Sequence, residues 1–478
     1  MPKMEKPQTE RPLMSEPSRK ANPNAAITVD PPRPVRVLMS WFMNRMIDPK
    51  RAKKARDAHE AKRQATGAPH QVEYFHQLDD PYSHLSAQKL NELALAYDIE
   101  IIPHLIHPTG GKEQPYPDEL ATYARRDAAA VAPHYGLSFP GNAGMTPSDA
   151  DRELAARILV AANRPQFVER IAAISDALWS GDRPTLEKLA QEFGTVDKAK
   201  ADRQLNEGTK RLKDLKHYSG ATFFYAGEWF WGVDRLGHLE NRLRERGAGR
   251  SATPHAVAPR PPIDRGEQRD SGTMTLEIFP SLRSPYTAII FDKACALADQ
   301  AGVNLAIRPV LPMVMRGVPA TRNKGVYIFT DAKREADALG VAFDKIYDPI
   351  GEPVRRAYSL YPWAAEQGKG QAFLSAFLQA AFVKGTRTDT DRGLRKVVEQ
   401  AGLSWTEARQ HLGSEAWIAE IEANQQAMTQ ELGLWGVPSF RLTGPGREPA
   451  FSAWGQDRLW LVASEIKRRL AVSQTSSP

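Results

Sequence analysis

Short alternating apolar runs separated by longer helical stretches set the plan of this chain, and the plan occurs twice. Val72-Glu73-Tyr74-Phe75 alternates as a strand does, Pro81 opens a helix to about Ala96, and Ile99 to Ile106 is β-branched and strand-like. A helical region from Asp118 to about Asn206 follows, with turn signals at Pro140-Gly141 and Gly181-Asp182. A strand over Ala221 to Tyr225 and a helix from Asp234 to about Glu245 close the first half. After a Gly/Pro/Arg-rich stretch the order restarts. Thr275–Phe279 reads as a strand, Pro285 opens a helix to about Gln300, and Val303 to Val310 reads as a second strand. Lys324 to Met428 is helical, Pro438 introduces a strand through Phe440-Arg441-Leu442, and Asp457 opens a last helix ending near Leu470. Strands alternating with helices predict an α/β fold with helices on the faces of a sheet and a helical insertion.

The two halves also share residues. Asp-Pro-Tyr-Ser at 80–83 answers Ser-Pro-Tyr-Thr at 284–287, and Gly220-Ala221-Thr222-Phe223 answers Gly436-Val437-Pro438-Ser439. Trp231-Gly232-Val233-Asp234-Arg235-Leu236 answers Trp454-Gly455-Gln456-Asp457-Arg458-Leu459. Three matches in one order predict an internal duplication. The boundaries read as a basic, disordered N-terminal extension with a short apolar helix over 1–70, a domain over 71–245, a linker over 246–272, a domain over 273–472 and a tail over 473–478.

With 478 residues, 41% of them hydrophobic and 25% charged, the chain has the composition of a globular protein of two or three domains. Its net charge of +7 sits mainly in Val35 to Gln64, where nine Lys/Arg face three Asp/Glu. The rest is nearly balanced, which gives no case for nucleic acid binding by the folded domains. Within the basic segment, Val37 to Ile47 is apolar enough to dock on its own protein or on a partner. The basic run after it is what would favour a membrane surface for residues 37–63. Cys295 is the one cysteine, so no intrachain disulfide, Cys-x-x-Cys pair or cysteine zinc cluster can form. Its place in a helix reads as a buried small apolar residue. Met1 to Pro34 is polar and proline-rich without a signal-peptide core, and no apolar run reaches transmembrane length. A cytoplasmic protein is expected.

Chemistry concentrates in the second half. Ser284-Pro285 joins a strand to a helix. Ser is a good N-cap and Pro a good first residue, and that alone explains them. The same geometry puts a hydroxyl at a helix N-terminus, where free N–H groups favour an anion such as a thiolate. Pro438 opens a strand, where a proline sits either at an edge or after a cis bond. A cis bond would aim the backbone polar groups of Val437 at an extended, peptide-like ligand. Tyr327, Asp331 and Arg334 share a helix face, which reads most simply as a solvated Asp331–Arg334 pair. Phe440 and Trp454 read as core or pocket wall.

These motifs, Ser284-Pro285-Tyr286, Lys324-x-x-Tyr327-x-x-x-Asp331-x-x-Arg334, Gly436-Val437-Pro438-Ser439-Phe440 and Trp454-Gly455-Gln456-Asp457-Arg458-Leu459, resemble the 2-hydroxychromene-2-carboxylate isomerase family. That family is close kin of kappa-class glutathione transferases within the DsbA-like thioredoxin fold. The resemblance covers about Thr275 to Ala471, and more weakly about Gln71 to Glu245. It implies two tandem thioredoxin-like domains, each with a helical insertion, and a glutathione-dependent isomerase or transferase acting on a small aromatic or conjugated acid. By that resemblance Ser284 faces the glutathione sulfur and is catalytic. Val437 and cis-Pro438 meet the cysteine unit, Gln456 and Asp457 the γ-glutamyl end, and Lys324 a carboxylate of glutathione or substrate. The first half departs from the pattern, with Asp80 at the place of Ser284 and Thr222 at that of Pro438. A carboxylate there would raise a thiol pKa. The first half is therefore expected to be a degenerate domain that covers the second as a built-in partner, an intrachain pseudo-dimer. Two other readings stand beside the enzyme: a non-enzymatic module holding an extended peptide beside Pro438, and a thiol-disulfide oxidoreductase. The second is disfavoured because neither helix start carries a cysteine.

Overall fold

The computed structural model describes residues 29–140, 145–251 and 256–475. The disorder expected of residues 1–28, part of the Pro140-Gly141 turn and the last tail residues lie outside them, whereas beyond its apolar helix the extension is not disordered as expected but carries a second helix over Pro49–Thr66.

Two helices lead, α1 (Arg33–Ile47) and α2 (Pro49–Thr66). The first half follows as β1 (His70–Gln77), α3 (Pro81–Ala87), α4 (Leu90–Ala96), β2 (Ile99–Ile106), α5 (Pro117–Val131), α6 (Asp149–Ala161), α7 (Arg164–Ser180), α8 (Arg183–Phe193), α9 (Lys198–Asp214), β3 (Thr222–Tyr225), β4 (Glu228–Trp231) and α10 (Val233–Glu245). The second half is β5 (Thr275–Phe279), α11 (Pro285–Ala301), β6 (Asn304–Ile307), α12 (Arg322–Leu339), α13 (Glu352–Glu366), α14 (Gly370–Phe382), α15 (Asp391–Gln400), α16 (Trp405–Ala408), α17 (Trp417–Gln426), β7 (Ser439–Thr443), β8 (Phe451–Trp454) and α18 (Leu459–Thr475).

Each half has one four-stranded sheet, ordered β2-β1-β3-β4 and β6-β5-β7-β8. In both, the first strand runs parallel to the second and antiparallel to the third, and the third pairs antiparallel with the fourth. The crossover between the parallel strands is helical, as parallel pairing requires. Most apolar residues of each sheet pack against helices of the same half, while Trp460 and Leu461 of α18 join the core of the first half. Val72, Tyr74 and Phe223 anchor one core, and Leu276, Ile278, Phe440 and Leu442 the other.

Several details differ from the sequence reading. The helix expected over Pro81 to Ala96 breaks at Gln88-Lys89 into two pieces. The strand expected over Val303 to Val310 is confined to β6, and the last helix is entered through a 3₁₀ turn, Gln456–Arg458. The fourth strands, β4 and β8, carry no alternation long enough to be read. β3 and β4 meet across Ala226-Gly227, both with positive φ, so an alanine takes the left-handed place that Asn or Asp usually marks.

The Gly/Pro/Arg-rich connection is mostly exposed over its described residues but is anchored at Val257, Ala258 and Arg260. Val257 and Ala258 are buried and donate their N–H groups to the Glu240 carboxylate at 2.9 and 3.3 Å. Arg260 pairs with Glu335 of the second half. The apolar N-terminal piece docks on its own chain, one of the alternatives its composition allowed. Arg36, Ser40, Met43 and Ile47, spaced four, three and four apart, form the buried face of α1. Arg36 donates to the carbonyls of Asp348 and Ile350, and Asn44 exchanges two hydrogen bonds with the backbone of Ile346.

Candidate active site

β5 ends at Phe279, and the chain reaches α11 through Ser284. Ser284 has an extended backbone (φ −85°, ψ 119°) and accepts the Thr287 N–H on its Oγ at 3.1 Å. It is thus the N-cap its type and the following Pro285 predict. The same hydroxyl donates to the carbonyl of Val437 at 3.2 Å. It therefore ties the start of a 17-residue helix to the segment leading into β7. The Val437–Pro438 bond is cis. Ser439 Oγ closes the turn on the Gly436 carbonyl at 2.8 Å, and the Gly455 N–H binds the Pro438 carbonyl at 3.0 Å. Among the described residues the N–H of Val437 has no hydrogen-bond partner within the chain, and Val437 is half-buried. An open donor therefore lies beside the Ser284 hydroxyl and the positive end of α11.

Trp454 forms one wall, its indole lying against Gly436 and its ring centroid 5.0 Å from that of Trp435. Tyr123, from α5 of the first half, lies 5.5 Å from Trp454, accepts the Trp454 N–H at 2.9 Å and packs in one apolar cluster with Phe279 and Val310. Tyr116 reaches Trp435 from the same half. Arg316 donates to the carbonyls of Leu311 and Trp435 at 2.9 and 2.8 Å, and burial lowers its guanidinium to about 10.

Ser284, Val437 and Pro438 come together here. Gln456 and Asp457 also lie together, but held by their own chain. Gln456 Nε2 donates to Glu335 at 2.6 Å, and Asp457 Oδ2 accepts Arg235 Nη1 at 2.7 Å. They line a cavity of about 270 Å³ with Arg260, Ile290, Leu339 and Trp460, which Ser284 and Val437 do not line. Lys324 stands half-buried in the first turn of α12, its backbone N–H capped by Thr321 Oγ1 at 3.3 Å.

Behind the site runs a buried charge network in which each half answers the other. Arg235 binds both carboxylate oxygens of Asp331 at 2.9–3.1 Å and contacts Glu335 at 3.3 Å. Arg458 binds both oxygens of Asp127 at 2.8–3.0 Å and Asp234 at 3.0 Å. Tyr82 donates to Asp127, and Tyr286 to Asp331, each at 2.8 Å. The solvated Asp331–Arg334 pair expected from helical spacing is thereby corrected. Asp331 is fully buried, its close cation is Arg235 from the other half, and Arg334 stands at 3.7 Å. Tyr123 and Asp127 had a signal in the sequence, since Tyr-x-x-x-Asp at 123–127 recurs at 327–331.

Cys295 is buried, and burial pushes its thiol up to about 12, in keeping with an inert side chain. Among the described residues no group of three His, Cys, Asp or Glu side chains could hold a metal ion, and no helix is long and apolar enough to cross a membrane.

In the first half Asp80 caps α3, accepting the N–H groups of Tyr82 and Ser83 at 3.2 and 3.1 Å and the Ser83 hydroxyl at 2.7 Å. Burial nonetheless raises its carboxyl from 3.8 to about 6. A raised folded pKa means that the folded state binds this proton more tightly than the unfolded chain. Stability from it is present below about pH 4 and is lost as pH rises through 6. Asp80→Asn should remove that slope. Because Asp80 is partly exposed, the difference between the two proteins should change by about 1–2 kcal/mol between pH 4 and 7. Urea unfolding at the two pH values measures this, and parallel curves would refute it.

Residues 275–467 match the family model described as the DSBA-like thioredoxin domain. No curated protein matches the chain. Among solved structures, a 2-hydroxychromene-2-carboxylate isomerase is 19% identical, covering 43% of this chain and all of its own, with a TM-score of 0.35. A probable DsbA oxidoreductase from Streptomyces coelicolor is 22% identical over 43% of this chain and 92% of its own, with a TM-score of 0.33. The cytosolic disulfide reductase DsbM from Pseudomonas aeruginosa, in a structure with GSH, is 17% identical over 42% of this chain and 99% of its own, with a TM-score of 0.27. By the family match, residues 275–467 of this α/β chain are a DsbA-like thioredoxin domain.

Proposed function

We propose that the second half is a glutathione-dependent isomerase or transferase acting on a small conjugated or aromatic acid. In this reading the first half is a degenerate copy of the same domain that completes the site. The observation that carries it is the open Val437 N–H beside the Ser284 hydroxyl at the start of α11. The N–H suits the backbone carbonyl of the cysteine unit in a glutathione laid out as an extended strand. The hydroxyl and helix terminus suit its sulfur as an anion. With a single buried cysteine the chain has no dithiol of its own, which separates this reading from disulfide exchange.

Bound glutathione would supply a thiol that adds to a conjugated carbonyl compound and leaves again, so that a bond can rotate. The chain's part is to position and to tune. Ser284 would turn its proton from the Val437 carbonyl to the sulfur and lower the thiol pKa. Trp454, Trp435 and Tyr123 would form an apolar wall that keeps water from an aromatic acid. Asp457 and Arg260 bring a carboxylate and a guanidinium to the cavity beside Gln456, a complement to an α-amino acid end. Lys324 is assigned to a carboxylate of glutathione or substrate.

Calorimetric titration with reduced glutathione tests this. One site per chain is expected, weakened about tenfold or more in Asp457→Asn. In Ser284→Ala the bound thiol, followed by thiolate absorbance, should titrate about 1–2 pH units higher, the worth of a hydrogen bond to a charged group. Absence of binding at millimolar glutathione would remove the enzyme reading. A second reading would then hold: a module that pairs an extended peptide with Val437. It is favoured by the engagement of Gln456 and Asp457 by Glu335 and Arg235, which leaves the backbone donor as the open group.

A further inference from the structure

The face of α1 opposite its docked one is apolar and uncovered. Val37, Leu38, Trp41 and Phe42 are 48%, 54%, 52% and 51% exposed, and they are four of the nine large hydrophobic side chains exposed among the described residues. Positions 37, 38, 41 and 42 share one helix face, and Arg36, Ser40, Met43 and Ile47 on the other fix that face outward. Trp41 and Phe42 meet edge to face at 4.9 Å, and the Arg45 guanidinium lies 5.5 Å from the Trp41 ring. One turn of chain later, α2 carries Lys50, Arg51, Lys53, Lys54, Arg56, Lys62 and Arg63 against Asp57 and Glu60, a balance of seven to two. None of its residues is buried, and Arg51, Lys54 and Lys62 recur along one face. A helix this polar has little to bury.

We propose that α1 and α2 form a docking surface for an anionic lipid bilayer, with Trp41, Phe42, Leu38 and Val37 entering the headgroup boundary and the basic helix lying over the charged surface. Tryptophan beside arginine is the combination that suits a boundary with one apolar and one wet side. A short apolar face gives marginal binding by itself, and a neighbouring cluster of Lys/Arg supplies the second attraction. Charge decides between this occupant and a second copy of the chain. Pairing two copies through the same patch by a twofold axis would bring two α2 helices of like charge together, whereas an anionic surface complements both.

The test is co-sedimentation of the full-length protein with vesicles of phosphatidylcholine alone and with about a third phosphatidylserine. Binding to the anionic vesicles is expected, with at least tenfold less to the neutral ones and a steep loss in high salt. Trp41→Ser/Phe42→Ser should reduce anionic-vesicle binding about tenfold or more, and Arg51→Ala/Lys54→Ala/Lys62→Ala severalfold. All five side chains are exposed, so circular dichroism and melting should be unchanged. Equal recovery with and without anionic vesicles, or anionic binding that the Trp41→Ser/Phe42→Ser variant keeps, overturns the proposal. A concentration-dependent dimer in sedimentation equilibrium, dispersed by the same variant, would overturn it in favour of a second copy.

Discussion

Arg235→Met is expected to destabilise the protein by about 3–5 kcal/mol, the range for removing one partner of a buried ion pair. Asp331 and Glu335 are wholly buried. Without the guanidinium, Asp331 keeps the Tyr286 hydroxyl and the distant Arg334, and Asp457 loses its 2.7 Å partner. Glu335 is cushioned by Arg260 and His238. The acid limb of stability should change as well. Burial pushes the carboxyls of Glu335 and Asp457 up, but the arginines around them prevail and hold both below the usual carboxylate range. Depressed folded values give stability that is present above about pH 4 and is lost as pH falls through them. Arg235→Met should flatten that loss. Urea unfolding at pH 7 and below pH 4 reads both effects, with Arg468→Ala as reference. Arg468 is half-exposed and pairs with Glu448 and Glu465 at the surface, so its removal should cost under about 1 kcal/mol. Equal losses for the two variants would mean that the network does not hold the halves together.

Gly436→Ala should combine a stability loss of about 1–3 kcal/mol with loss of ligand binding. A Cβ at Gly436 would stand 1.9–2.0 Å from the Trp454 indole. That ring cannot swing aside cheaply, because Trp435 and Tyr123 flank it and its backbone N–H is bound to the Tyr123 hydroxyl. The displacement then falls on Gly436-Val437, where the open N–H and the Ser284 contact are. Gly325→Ala is the matched comparison. It sits in α12 with nothing near the added carbon, and in a helix interior alanine should be the better residue by up to about 1 kcal/mol. Melting curves and glutathione or peptide titrations separate the two. A Gly436→Ala protein that melts and binds like the parent would show that this wall is soft.

The strands that begin each half were legible because Val72–Phe75 and Thr275–Phe279 bring apolar residues together at strand spacing, and the Ser284 cap because its type and the following proline leave little else. The repeated Trp-Gly-x-Asp-Arg-Leu motif marked two corresponding places, and both lie where a fourth strand passes into a final helix. What stayed hidden is what distance along the chain conceals. Helical spacing offers Asp331 a partner three residues away, whereas the one it uses is 96 residues away, and Arg458 reaches back 331 residues to Asp127. The four-residue edge strands carry too little alternation to register, and a linker rich in Gly, Pro and Arg gives no sign of the anchors that Glu240 and Glu335 provide for it.

The reciprocal arginines also restrict motion. Sliding or opening one half against the other would pull Arg235 and Arg458 together away from carboxylates that are buried or nearly so. The halves should therefore travel as a single rigid body. Ligand exchange at the half-buried Val437 and Trp454 should then depend on local motion of the segments beside them, on a faster time scale than that of domain hinges.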